Sequence, residues 1–316
     1  MSQEAPDSAI AVCLARCPAS ETAAQVLPDL LDRAELWGGR SLHGLRILVK
    51  PNLLRNSALA CTDPHVVAAV CQWLLEAGAS VVVADSPGFG TARSVARDTG
   101  LSAALARLGL AVQPMARGEP MRLSTGSVIL ISRTALEADL ILSVPKVKAH
   151  SQMRLSLSCK NLYGCVPGLY KAFYHTREGD DPGHFAAMQA ALLHALPPVA
   201  AVADGIVAMH RTGPSGGDAF PLGLVAASSS PVALDEVLCH VLGQEPVNIP
   251  LQKALMDAGH RDCESQGRLR RYPLLRPEEV ARTDFLVPVH LMHTSFKPMR
   301  LLRSCCIRLW KEYVVR

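Results

Sequence analysis

Residues 144–175, VPKVKAHSQMRLSLSCKNLYGCVPGLYKAFYH, decide how the rest of this chain is read. No acidic residue occurs between Asp139 and Glu178, whereas Lys146, Lys148, Arg154, Lys160, Lys171 and Arg177 supply six positive charges, with His150 and His175 among them. Charge this one-sided calls for an anion. The segment opens on the apolar run Leu140–Val144, whose length and composition fit a buried strand. Pro145 has no N–H to give to a ladder. The sequence therefore predicts that the strand ends there and that Lys146, Lys148 and His150 enter a loop at its carboxyl end, where open α/β sheets bind ligands. Lysines after a strand are also commonly just solvated. The turn from Gly164 to Gly168 favours the ligand, since its glycines would let the backbone pass close to a bound group. Lys160 stands among Ser156, Ser158 and Cys159, and a lysine desolvated in such a run has a lowered pKa and can act as base or nucleophile. Asn161 beside it is expected to touch the same ligand.

Working outward, the chain repeats a unit of strand, polar turn and helix. Residues 9–15, 46–49, 80–84, 127–131, 140–144, 199–203 and 222–226 read as strands, and 21–37, 64–78, 184–196 and 232–242 as helices. The predicted fold is α/β, a mostly parallel sheet with helices on both faces and room for two lobes sharing a cleft. Lys50 and Asn52, Asp85 and Ser86, and Asp204 fall at predicted strand ends, as candidates to meet the ligand of the central segment. Capped turns are the competing reading for each. Asp85 is expected to orient a lysine or a metal-bound water, and Asp204 to partner a lysine across the cleft. The loop 210–218, HRTGPSGGD, offers Gly216 and Gly217 for close backbone approach to a ligand. Asp235, in the first turn of its helix, reads as structural. There is no G-x-G-x-x-G and no Walker lysine, so nucleotide binding is not expected.

The runs RILVKPNLL, VVVADSPG, ADLILSVPKVKAH, CKNLYGCVPG, VADGI, GPSGG and SPVALDEV together resemble, in order and spacing, the bacterial and archaeal family catalogued as domain of unknown function 362. The resemblance covers about residues 9 to 260. Many members of that family carry a ferredoxin-like module with two four-iron clusters. The central segment is also similar to the active-site stretch of the nickel-pincer lactate racemase family. There a histidine general acid/base precedes a cofactor-bearing lysine, a proline–glycine turn and a metal-ligating histidine. His150, Lys160, Pro167–Gly168 and His175 follow that order, which implies catalytic roles for His150 and Lys160 and a metal for His175. The intervening glycines of that family are absent here, and Asp85-Ser86-Pro87 stands where its second histidine is expected.

Of the 316 residues 49% are hydrophobic and 19% charged, ample for a large core. The formal net charge of +4 gathers in the central segment and the last twenty residues, a pattern of local patches that does not fit a nucleic-acid-binding chain. None of the ten cysteines forms a C-x-x-C pair, so no iron–sulfur ligand run is present. No signal peptide or transmembrane stretch is read, and a cytoplasmic protein with reduced thiols is expected. Residues 1–270 are expected to form the α/β unit, with any lobes dividing near 180–200, and 271–316 a basic extension without a ferredoxin module. The acidic connection 178–183 reads as a lid or a plain connector.

The function expected is that of an enzyme on a small anionic, carboxylate-like substrate. Lys146, His150, Lys160 and Asp85 would be catalytic; Lys50, Asn52, Ser86, Lys148, Asn161, Asp204, Gly216 and Gly217 would bind substrate; a divalent metal at His175 or a further cofactor is left open. The alternative is a redox or cofactor-assembly accessory working with a separate iron–sulfur protein.

Overall fold

The computed structural model of the chain describes residues 9–178, 181–260 and 270–292. The strands are β1 (Ile10–Arg16), β2 (Arg46–Pro51), β3 (Ser80–Asp85), β4 (Val112–Pro114), β5 (Gly118–Arg122), β6 (Val128–Ser132), β7 (Leu140–Val144), β8 (Lys146–His150), β9 (Arg154–Ser156), β10 (Val199–His210), β11 (Asp218–Phe220), β12 (Leu224–Ser228) and β13 (Arg270–Arg271). The helices are α1 (Ala23–Ala34), α2 (Pro64–Glu76), α3 (Ala92–Asp98), α4 (Leu101–Ala106), α5 (Arg133–Leu136), α6 (Ser158–Asn161), α7 (Gly168–Glu178), α8 (Pro182–His194), α9 (Pro231–Val241) and α10 (Pro250–Asp257).

The main sheet runs β13-β1-β12-β10-β7-β2-β3-β4. Its block β10-β7-β2-β3-β4 is parallel, and β12 runs antiparallel to both β10 and β1. The alternation of side chains along a strand shows why helices lie on both faces. Ile47, Val49, Leu140, Leu142 and Val144 join one core with α1 and α2, while Leu48 and Ile141 join another with Phe185 of α8 and Leu251 and Leu255 of α10. A third core packs α9 against β1, β10 and β12. Each such large apolar side chain contributes about 1.5–3 kcal/mol on burial, so apolar packing sustains the sheet. The lysines buried inside it are a cost to stability that calls for another explanation.

The α/β class and the helices on both faces are as the sequence implies, and β7 ends at Val144 before Pro145 as expected, but no loop follows. The chain continues as β8, because β10 is twelve residues long and pairs first with β7 and then with β8. At the proline this ladder needs only the carbonyl, which accepts from the Asp204 N–H at 2.9 Å. Lys146, Lys148 and His150 are therefore buried strand residues, where the sequence predicted a loop. The lobe division near 180–200 is no break in the sheet, since β10 beyond it bonds directly to β7 before it.

Residues 271–292, expected in an extension, belong in part to the domain. β13 pairs with β1, the Arg282 N–H reaches the Val241 carbonyl at 2.6 Å, and Phe285 is buried in the third core. The basic run over the last twenty residues and His293 lie outside the described residues, as do 179–180 of the acidic connection.

Candidate anion site at the strand ends

Parallel neighbours bring their carboxyl ends to one edge of the sheet. Lys50 ends β2, Asp85 ends β3, Lys146 opens β8 beyond β7, and Asp204 lies opposite Lys146 on β10. All four are buried, and they form two ion pairs. The Lys50 Nζ meets Asp85 Oδ1 at 2.7 Å and donates also to the Pro51 carbonyl and to Asn161 Oδ1. Asp85 Oδ2 accepts from the Leu53 N–H. Lys146 Nζ meets Asp204 Oδ2 at 3.0 Å, and the same oxygen accepts from the Asp63 N–H at the cap of α2. Burial lifts the Asp204 carboxyl above its ordinary range, with Lys146 and the Asp63 N–H acting against the shift.

Gly164 explains part of the turn that follows Lys160. A Cβ built on it would overlap the Asp85 carboxylate and the Lys50 amine. The close approach for which this glycine is needed is thus to the chain's own ion pair. Ser86 ties down the same segment: its hydroxyl accepts from the Gly168 N–H at 2.7 Å, and its carbonyl accepts from the Lys171 amine.

Two further lysines have no such carboxylate. Lys148 donates to Asn52 Oδ1 at 2.6 Å and to the Ala60 carbonyl at 2.9 Å, both neutral acceptors. Burial, against Cys61 and Asp85 and with Lys146 and Lys50 adding to it, brings its pKa from 10.5 down to about 8. Lys160 is 9% exposed, and its amine makes no hydrogen bond or ion pair with any described residue. Burial, then Lys148 and Lys171, bring its pKa from 10.5 to about 7. Asn161 connects this pair to the first: its Nδ2 donates to the Lys50 carbonyl and to Ser143 Oγ, and its Oδ1 accepts from Asn52 as well as Lys50.

His150 is held in one tautomer. Its Nδ1 accepts the N–H groups of Gln152 and Met153, each at 3.2 Å, which puts the ring proton on Nε2. Burial first, then Lys160, His175 and Lys148, push its pKa well below 6.5. A neutral ring fixed this way offers an N–H donor. His175, on α7, lies against Phe185 with centroids 4.1 Å apart and edge-on to Tyr163 at 5.5 Å. Burial, then Lys160 and Lys171, bring it down to about 3. Lys148, Lys160 and Lys171, with the neutral rings of His150 and His175, therefore act on one another electrostatically, and Asp85 opposes them at Lys148.

Of two supports, Asp235 reads in sequence as structural without its partners, and Gln189 is not signalled. Asp235 accepts the N–H groups of Ser158 at 2.8 Å and Cys159 at 2.9 Å, which fixes the short turn α6 that carries Lys160. Burial raises its pKa to about 6. The sequence places it in the first turn of its helix; it lies one turn further in, where its acceptors face α6 and not the helix's own N-terminus. Gln189 of α8 is 2% exposed with both side-chain amide atoms lacking a partner among the described residues. It lies four residues after Phe185, on the same face of the helix.

Other expectations are not met in this geometry. The close neighbours of Gly217 are the Thr212 and His210 carbonyls of its own loop, and Gly216 is exposed at φ +84 with open space beside it. Gly213 is the glycine that meets β8, donating no space to a ligand: its carbonyl accepts from the Ser151 N–H at 2.8 Å. Among the described residues no three His, Cys, Asp or Glu side chains are grouped to hold a metal ion, so His175 does not belong to a metal site built from protein ligands alone. A surface groove of about 620 Å³ between α8 and α10 is lined by Lys253 but by none of Lys50, Lys146, Lys148 and Lys160.

Sheet topology and buried cations define a class: an α/β protein whose strand ends gather lysines beyond the number of carboxylates there. The chain belongs to the family described as Domain of unknown function (DUF362), which its residues 47–240 match. It is 35% identical over 307 residues to the thylakoid-associated protein sll1697 of Synechocystis sp., spanning 94% of this chain and 92% of that protein. Among solved structures it is similar to the lactate racemase apoprotein from Thermoanaerobacterium thermosaccharolyticum, with a TM-score of 0.46, 13% identity and coverage of 74% of this chain and 60% of that one. A Thermotoga maritima protein gives a TM-score of 0.40 and 12% identity over 81% of this chain and 61% of that one. The chain thus spans about three fifths of the length of both structures. Among the described residues no helix is long and apolar enough to cross a membrane.

Proposed function

We propose that this chain is an enzyme acting on a small anionic, carboxylate-like substrate. One observation carries the reading: Lys148 and Lys160 are buried together without a carboxylate partner, whereas Lys50 and Lys146, a few residues away in the same network, each have one. An unpaired buried ammonium is costly, and a bound anion removes the cost. The two ion pairs then serve as scaffold, holding Asn52, Asn161 and the strand ends in place. Lys148 is the anion clamp. His150 donates from Nε2, and Lys160, close to neutrality in pKa, takes and returns a proton.

Reduced thiols support a cytoplasmic location, since all seven described cysteines are free. The relative's association with thylakoids makes attachment to a membrane surface the location to test beside it. The function is tested by thermal melting with a panel of small anions, oxalate, malonate and phosphate among them. A rise in melting temperature that is lost in Lys148→Met is expected; no rise with any of them rejects the reading.

A further inference from the structure

The Lys160 amine is buried, its backbone is fixed, and among the described residues it has no hydrogen-bond acceptor. Asp235 clamps the N–H groups of Ser158 and Cys159, and the Ser158 carbonyl accepts from Ser143 Oγ at 3.0 Å, so α6 is held from both sides. The groups that act on the amine are Lys148 and His150 from β8 and Lys171 and His175 from α7, with no carboxylate among them. A lysine that served only to bind an anion would gain from an acceptor that keeps it charged, as Lys148 has in Asn52 and Ala60. Lys160 has none, and cationic neighbours favour its neutral form. A neutral, desolvated primary amine is a nucleophile for carbonyl carbon.

From this geometry, and resting on the anion-site reading above, we infer that Lys160 forms a Schiff base with a small aldehyde or ketone that also carries a carboxylate. The Nζ lone pair attacks the carbonyl carbon, and the C–O π bond breaks toward oxygen. A proton passes from nitrogen to that oxygen, giving a carbinolamine. Loss of water then forms the C=N bond. Amine and carbonyl yield imine and water, with no oxidant or reductant. His150 Nε2–H stands as donor to the carbonyl oxygen, Lys148 meets the carboxylate, and the buried Gln189 amide supplies further donor and acceptor capacity in the surrounding core.

The test traps the adduct on the full chain with cyanoborohydride, using glyoxylate and pyruvate in turn, followed by intact mass and peptide mapping. The expected result is one equivalent on Lys160 with at least one probe, slowed tenfold or more by excess oxalate. Its rate should rise through about pH 7 and then level off, whereas exposed lysines gain until about pH 10. Oxalate, which has no aldehyde or ketone carbon, is measured in parallel by thermal melting. If oxalate raises the melting temperature while neither probe labels Lys160, the Schiff base is wrong and the anion site stands. If oxalate has no effect and Lys160 is not labelled, both fall.

Discussion

Replacing Lys160 with methionine should make the protein more stable while abolishing anion binding. The stem of the side chain is kept, and the amine with its desolvation cost is removed. A fall in pKa from 10.5 to about 7 corresponds to roughly 5 kcal/mol of disfavoured charge. Relaxation of the site and the residual 9% exposure reduce this, so a gain of about 2–3 kcal/mol is expected at pH 6. For a chain of this size that is about 4 °C in Tm. The pH dependence identifies the cause. Because the folded-state pKa lies below the unfolded one, the penalty is fully present below about pH 7 and fades as the pH approaches 10.5. Urea denaturation of wild type and Lys160→Met at pH 6 and pH 10 should therefore show a large gap at the first and little at the second. A variant less stable than wild type at pH 6, or a gap equal at both pH values, refutes the reasoning.

Gly164→Ala drives a methyl group into the Lys50–Asp85 pair and should cost at least about 3 kcal/mol in urea denaturation; a cost under 1 kcal/mol would mean that the pair moves freely. Asp204→Asn leaves Lys146 buried without a carboxylate and should destabilise by about 3–5 kcal/mol, much of it recovered in the double variant Lys146→Met/Asp204→Leu; no recovery would count against the cost being electrostatic. Asp235→Ala removes the acceptor for two backbone N–H groups and should cost about 2–4 kcal/mol, with weakened oxalate binding although Asp235 itself has no place in the lysine cluster. Unchanged binding would deny it a positioning role.

The chain announced its fold through repetition. Apolar runs such as Leu140–Val144 and Ser80–Ala84, with helix starts like Asp63-Pro64 between such runs, specify a wound parallel sheet, and the observed β7, β3 and α2 follow them closely. The loop expected after Pro145 is absent for a local reason. A proline breaks a ladder only where its N–H is required, and the length of β10, which decides what lies beside Pro145, is set sixty residues later. For the site, residue types were legible, and so was a lysine partner for Asp85 and for Asp204, but not which lysine each would take. Lys50, Lys146, Lys148 and Lys160 look alike as letters. Only the sheet order shows that Asp85 and Asp204 pair with the first two and leave the others without a carboxylate. The glycines at 216 and 217 were misleading for a similar reason, since a turn and a ligand cradle require the same residue. Gln189 gave no signal, because in sequence it is one polar position on an apolar helix.

The most direct test is calorimetric titration of oxalate into the wild-type protein at pH 8, in two buffers of different ionisation enthalpy. At that pH the Lys160 amine is mostly neutral and the Lys148 amine about half charged, and a bound dianion should return both to their charged forms. The expected result is saturable binding with uptake of about 1.4 protons per oxalate, falling toward zero at pH 6. Binding with no proton uptake at pH 8, or no binding at all, would contradict it.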